Sequence, residues 1–183
     1  MMNDRPFPNR HSIRLKGYDY RRAGAYFVTI HITRDACLLG EVTDSIMHLN
    51  NLGQMIEEEW LRSAEIREEI ELDLYAVMPN HFHAIVWIHD VGAAGVPPVE
   101  FDNSNHPVLH GKSLGALIGG FKRATTKRIN EIRQTPGAQL WQRNYYERIV
   151  RSDNELRAIQ QYILDNPLKW QLNRDNHDMM DWE

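Results

Sequence analysis

Apolar residues recur along the chain with two periods, and the switches between them mark out the elements. Between Tyr26 and Thr33 the period is two. Tyr26, Val28, Ile30 and Ile32 fall on one face and Thr29, His31 and Thr33 on the other, the pattern of a half-buried strand. Cys37–Val42 and Ile46–Leu49 read as a short hairpin around Thr43-Asp44-Ser45. Asn50 or Asn51 can then cap a helix running to about Ser63, with Leu52, Met55, Ile56 and Trp60 at helical spacing and Glu57, Glu58 and Glu59 facing water. Leu72–Met78 and His81–Ile88 are nearly continuous in apolar residues, so they are expected centrally in a sheet, joined by a tight turn at Pro79-Asn80.

A second helix is predicted from Ser113 to about Ile132, burying Leu114, Leu117, Ile118 and Phe121, with Gly119-Gly120 inviting a kink or a close backbone approach. Thr135-Pro136-Gly137 breaks the chain, and Trp141–Val150 reads as extended. Ser152 and Glu155 form an S-x-x-E capping box for a last helix with Leu156, Ile159 and Ile163 on its apolar stripe, which Pro167 is expected to terminate. Residues 91–112, rich in Gly, Pro, Asn and Ser, read as a long surface loop. Neighbouring strands have short links and strands outnumber helices, so the pattern predicts an α+β fold: an antiparallel sheet covered by helices.

The length of 183 residues suits one domain with a real core, and no repeat or composition break divides it. Cys37 is the only cysteine, which excludes an intrachain disulfide and a cysteine-rich zinc site and fits a reducing compartment. No apolar stretch is long enough to span a bilayer and residues 1–17 lack a signal-peptide core, so a soluble cytoplasmic protein is expected. The net charge of −4 hides an asymmetry. From Lys112 to Arg151 nine Lys or Arg face two acids, whereas from Glu57 to Asp73 eight acids face two arginines. The arm 1–17 is also basic. One side of the molecule can therefore meet nucleic acid, unless these are ordinary solvated faces.

Candidate chemistry centres on His81-Phe82-His83. Residues two apart on a strand project to the same face, so both imidazoles can meet one metal ion while Phe82 packs on the other side. Two ligands do not complete a site, and the bland alternative is two histidines on an accessible sheet face. Tyr162 and Asn166 are four apart, hence on one helical face. If that face lies over the histidines, Asn166 can coordinate the ion and Tyr162 can set its hydroxyl beside it. Spacing alone equally allows Tyr162 as a rim residue and Asn166 as a helix terminus.

Tyr75-Ala-Val-Met-Pro-Asn-His-Phe-His-Ala-Ile-Val-Trp87 resembles the histidine–hydrophobic–histidine (HUH) signature of single-tyrosine transposases. Leu140-Trp-Gln-Arg-Asn-Tyr-Tyr-Glu-Arg-Ile-Val-Arg151, followed by Tyr162-Ile-Leu-Asp-Asn-Pro-Leu-Lys169, resembles the C-terminal signature of the REP-associated tyrosine transposase branch. Asp19–Ile30 and Ser113–Lys122 also look like segments of that family, in matching order, so the resemblance spans nearly the whole chain. It implies a ferredoxin-like fold with the HUH histidines on a central strand, Tyr162 as nucleophile, and His81, His83 and Asn166 holding Mg²⁺ or Mn²⁺. It further implies cleavage and rejoining of single-stranded or hairpin DNA through a 5′-phosphotyrosine, by a monomer or homodimer. Tyr145 and Tyr146 are the rival nucleophiles, expected instead on a strand. Lys122, Arg123, Lys127, Arg128, Arg143, Arg148 and Arg151 are the candidate phosphate contacts, and Trp141 is expected in the core. Two other readings stay open: a hairpin-DNA-binding protein without catalysis, and a metal-dependent hydrolase that activates water.

Overall fold

A computed structural model describes residues 18–89 and 113–180. The arm 1–17 and the loop 91–112 lie outside them. The strands are β1 (Gly24–His31), β2 (Gly40–Thr43), β3 (Ile46–Leu49), β4 (Ile70–Val77), β5 (His81–Ile88) and β6 (Tyr146–Val150). The helices are α1 (Asn51–Ile66), α2 (Leu114–Arg133), α3 (Asp153–Leu164) and α4 (Asn166–Met180). The main sheet has the order β4-β5-β1-β6, every pair antiparallel. With β1-α1-β4-β5-α2-β6 as the chain order, this is the ferredoxin-like arrangement. The β2–β3 hairpin is inserted after β1, and α3–α4 is added after β6. Asp44 and Ser45 both have positive φ (52° and 61°), which gives the hairpin a turn matching the twist of its strands.

One face of the sheet forms the main core. Tyr26, Val28, Ile30, Phe82, Ala84, Val86 and Ile88 point to α1 and α2 and meet Ile56, Trp60, Leu117, Ile118 and Phe121. Trp60, Phe82 and Phe121 form an aromatic cluster with ring centres 5.1–5.3 Å apart. Trp141 is buried as expected, its Nε1 donating to Thr125 Oγ1 at 2.8 Å. The first turn of α1 is capped by Asn50, whose Oδ1 accepts from the Leu52 and Gly53 amides. Gly53 is required here, since a Cβ would lie 2.2 Å from the Leu39 carbonyl oxygen.

Several expectations are corrected. Strand β1 is not half-buried, because Ala25 and Phe27 on its second face pack with Ile85 and Ile163 under α3. Glu59 does not face water: it is buried at the α1–α2 contact, where Arg128 Nη1 donates to it at 2.8 Å. Helix α2 runs through Gly119-Gly120 unbroken, and a Cβ at Gly120 would meet nothing within 4 Å, so no close approach demands that pair. Only Tyr146–Val150 of the predicted extended stretch joins the sheet, with Trp141 making an isolated bridge to Ile32. Ser152 caps α3 by accepting from the Glu155 amide, but the Glu155 carboxylate turns to Arg148 and the Arg151 amide, so the reciprocal half of the capping box is not made.

Pro167 does not end the helical region. Helix α3 ends at Leu164, and after Asp165 the chain re-enters a helix at Asn166. A proline in a first turn forfeits no helical bond, since the amides there have no carbonyl partner within the helix. Helix α3 is tied to the sheet by Asp73, at the bulge in β4. The Asp73 carboxylate accepts from the Leu74 amide, Trp87 Nε1 and Gln160 Nε2. Among the described residues no helix is long and apolar enough to cross a membrane.

Candidate active site

The second face of the sheet carries the polar residues. Antiparallel register sets Thr29 of β1 opposite His83 of β5 and His31 opposite His81, so a strip of three imidazoles and a hydroxyl lies across two interior strands. The ring of His81 is 4.6 Å from that of His83 and 5.2 Å from that of His31, centre to centre. His81 and His83 are nearly inaccessible, at 8% and 2% exposure. The strand that carries them is anchored from the opposite face by Phe82, which is wholly enclosed in the core.

Neighbouring side chains orient both rings. Asn80 Oδ1 lies 2.6 Å from His81 Nδ1, a contact that suits Nδ1 as the donor. Thr29 Oγ1 lies 2.8 Å from His83 Nδ1. Burial, with the charges of His81 and His31, pushes the His83 pKa down to about 3, so its imidazole is neutral as metal ligation requires.

Tyr162 and Asn166 both face this strip. Asn166, 7% exposed, sets Nδ2 3.2 Å from His83 Nε2. A half-turn of its amide would present Oδ1 instead, giving a set of two imidazole nitrogens and one amide oxygen. The Tyr162 ring stands 5.3 Å from that of His83 and edge-on to Phe27 at 6.1 Å. It is 41% exposed and lines the cleft. Lys169 Nζ lies 5.2 Å from the centre of the Tyr162 ring, and Trp170 packs 5.7 Å from His81. The cleft enclosed by these groups holds about 740 Å³. Among the described residues no group of three or more His, Cys, Asp or Glu side chains is arranged to hold a metal ion. An ion at the two histidines would therefore depend on Asn166 and on substrate or water oxygens, a set that the open cleft allows.

Of the rival tyrosines, Tyr146 lies on β6 at the cleft wall with its ring 6.2 Å from Phe27, and Tyr145 is partly buried against the main core. The basic residues separate into groups. Arg148 lines the cleft but is bonded to Glu155 at 2.6 Å. Lys122 Nζ donates to the Gln142 and Arg143 carbonyls, and burial pushes its pKa down, so it pins the 142–143 segment to α2. Arg128 grips Glu58 and Glu59 of α1. Arg123, Lys127 and Arg143 line a groove of about 490 Å³ between α2 and residues 137–143. Arg151 follows the end of β6, near Tyr20 and Glu155.

Sequence reasoning missed His31, Thr29, Asn80 and Lys169 as parts of the site. The face shared by Thr29 and His31 was legible from their alternation with the apolar set. Their register against β5 was not, because it depends on a pairing between distant segments.

No family model matches the sequence. A protein of Haemophilus influenzae (strain ATCC 51907 / DSM 11121 / KW20 / Rd), described as uncharacterized, is 33% identical over 168 residues, covering 89% of this chain and 91% of that protein. Among solved structures, a REP-associated tyrosine transposase bound to a REP hairpin is similar with a TM-score of 0.58 and 18% identity, over 83% of this chain and 71% of that one.

Proposed function

We propose that this chain, which belongs to one family with the Haemophilus influenzae protein and shares the fold of the REP-associated tyrosine transposase, is a metal-dependent transposase that cleaves and rejoins single-stranded, hairpin-associated DNA. The observation that carries the reading is the convergence of Tyr162, Asn166, His81 and His83 on one cleft from three different elements. A divalent ion, Mg²⁺ or Mn²⁺, held by His81, His83 and Asn166, would polarise a non-bridging oxygen of the scissile phosphate.

Tyr162 Oη attacks phosphorus, and the bond from phosphorus to the 3′ oxygen breaks. The phenolic proton is lost to solvent and the departing 3′ oxygen takes up a proton, leaving a 5′-phosphotyrosine and a 3′-hydroxyl. The new bond keeps the phosphodiester linkage, so attack by a second 3′-hydroxyl can rejoin strands without a nucleotide cofactor. Thr29 and Asn80 hold the imidazoles in orientation, and Asp73, through Gln160, holds the helix that bears the nucleophile. Arg123, Lys127 and Arg143 are the phosphate contacts that the geometry favours. Lys122, Arg128, Arg148 and Arg151 remain candidates, the first three already engaged within the protein.

The test is covalent trapping with labelled hairpin oligonucleotides from the DNA flanking the protein's own gene, with Mg²⁺ or Mn²⁺. An adduct that survives denaturing gel electrophoresis and is lost in Tyr162→Phe and with chelator is expected. An adduct persisting in Tyr162→Phe would transfer the nucleophile to Tyr146 or Tyr145, and binding without any adduct would make the protein a hairpin binder. Metal-dependent hydrolysis with no adduct would instead support activated water.

A further inference from the structure

The nucleophile's surroundings raise a question of charge. A phenol attacking a phosphodiester builds negative charge on the phosphoryl oxygens and passes through a transition state more anionic than the bound substrate. In the cleft itself Arg148, its arginine among the described residues, is closely bonded to Glu155. Apart from the ion proposed at the two histidines, the cation set against Tyr162 among the described residues is Lys169. We propose that Lys169 is a catalytic residue of this cleft, its ammonium binding the scissile phosphate beside Tyr162 Oη and neutralising the charge that develops on attack. The proposal rests on Tyr162 being the nucleophile.

The break between α3 and α4 creates this position. Asp165 lies between the two helices, and its carbonyl accepts from the Lys169 amide at 3.0 Å, the first turn of α4. The Asp165 carboxylate is held on one oxygen by Gln161 Nε2 at 2.7 Å and meets Lys169 Nζ with the other at 3.5 Å. That pair is looser than the 2.6 Å contact of Arg148 with Glu155, and Lys169 is half exposed at the cleft mouth. Its ammonium is thus held against the face of the Tyr162 ring, where cation and π-system attract, while remaining open to an incoming phosphate. The phenolic proton leaves to solvent and the 3′ oxygen is protonated from solvent, as in the scheme above.

The test is the single-turnover rate of adduct formation with the hairpin substrate, measured alongside hairpin affinity. Lys169→Met should slow adduct formation about 100- to 1,000-fold, the range for removing one electrostatic donor from a transition state. Affinity should stay within about threefold, since one phosphate contact among several is lost. Lys169→Arg should retain most of the rate. A second variant separates charge from helix packing: Lys169→Cys in a Cys37→Ser background, alkylated with 2-bromoethylamine to restore an ammonium at nearly the original length. Cys37 is exposed and is the only other thiol, so its removal makes the alkylation specific. Recovery of rate on alkylation supports the proposal. Unchanged rate in Lys169→Met, equal losses in Met and Arg, or no recovery on alkylation each overturns it while leaving Tyr162 as nucleophile. Absence of any Tyr162 adduct in the unaltered protein overturns both readings.

Discussion

Acid is the perturbation that the buried imidazole of His83 should register most directly. Burial first, then the charges of His81 and His31, depress its pKa to about 3, against about 6.5 in an unfolded chain. Between those values the unfolded state binds a proton that the native state refuses. Stability is therefore fully present above pH 6.5 and falls as pH drops, by about 1.4 kcal/mol per unit. At pH 5 the deficit is 1.5 units, or about 2 kcal/mol, and it stays near that size for any native pKa well below 5. Asp19, held down by the Arg21 guanidinium, titrates below this window. So does Asp73, where burial raises the pKa but hydrogen bonds from Gln160, Leu74 and Trp87 outweigh it. Urea unfolding followed by circular dichroism, in chelator at pH 7, 6 and 5, measures the effect. His83→Gln should be flatter across that range by about 2 kcal/mol. Parallel pH profiles for His83→Gln and the unaltered protein would refute the assignment of the acid sensitivity to this ring.

Arg128→Ala should lower unfolding free energy by about 1–3 kcal/mol in urea titrations, because the buried Glu59 would lose its 2.8 Å hydrogen bond and keep only the looser 3.8 Å pair with Arg62. Hairpin affinity per folded molecule should change little. Arg123→Ala and Arg143→Ala should do the opposite, leaving stability unchanged and weakening hairpin binding, with the slope of log affinity against log salt reduced by about 1 for each. Gly53→Ala should destabilise by about 1–3 kcal/mol in the same unfolding assay, since the added methyl meets the Leu39 carbonyl, a backbone group that cannot rotate away.

Much of this architecture is written locally. The alternation at Tyr26–Thr33, the His81–Ile88 run, the Asn50 cap and the Ser152 cap depend on neighbours in the chain, and each element is present within a few residues of its expected span. What local patterning misses is the second covering layer. Strand β1 reads as half-buried because Thr29, His31 and Thr33 mark its second face as polar, and nothing nearby announces that Ile163 will close over Phe27 on that face. Glu59 is misjudged for the same reason. A carboxylate at that position is ordinary surface unless an arginine 69 residues later reaches it. Pro167 follows a different logic, since proline stops a helix from continuing yet suits the start of the next one.

The two faces of β5 show why the site and the core must be read together. His81 and His83 are met at their ring nitrogens by Asn80 and Thr29, but the residue that anchors their strand is Phe82, packed among Trp60, Phe121 and Tyr75 on the far side. A motif of two histidines with any residue between them would satisfy the spacing for a metal. Only a large apolar residue between them makes the strand a rigid mount, because its burial holds the backbone against the helices while both rings project into the cleft. The same division explains the basic residues. Charge counted along the chain treats Arg123 and Arg128 as equals, five residues apart on one helix. Packing sends one guanidinium to a buried carboxylate of α1 and leaves the other at an open groove. What α2 can offer to a phosphate is therefore set less by how many cations it carries than by which of them the acidic face of α1 has already taken.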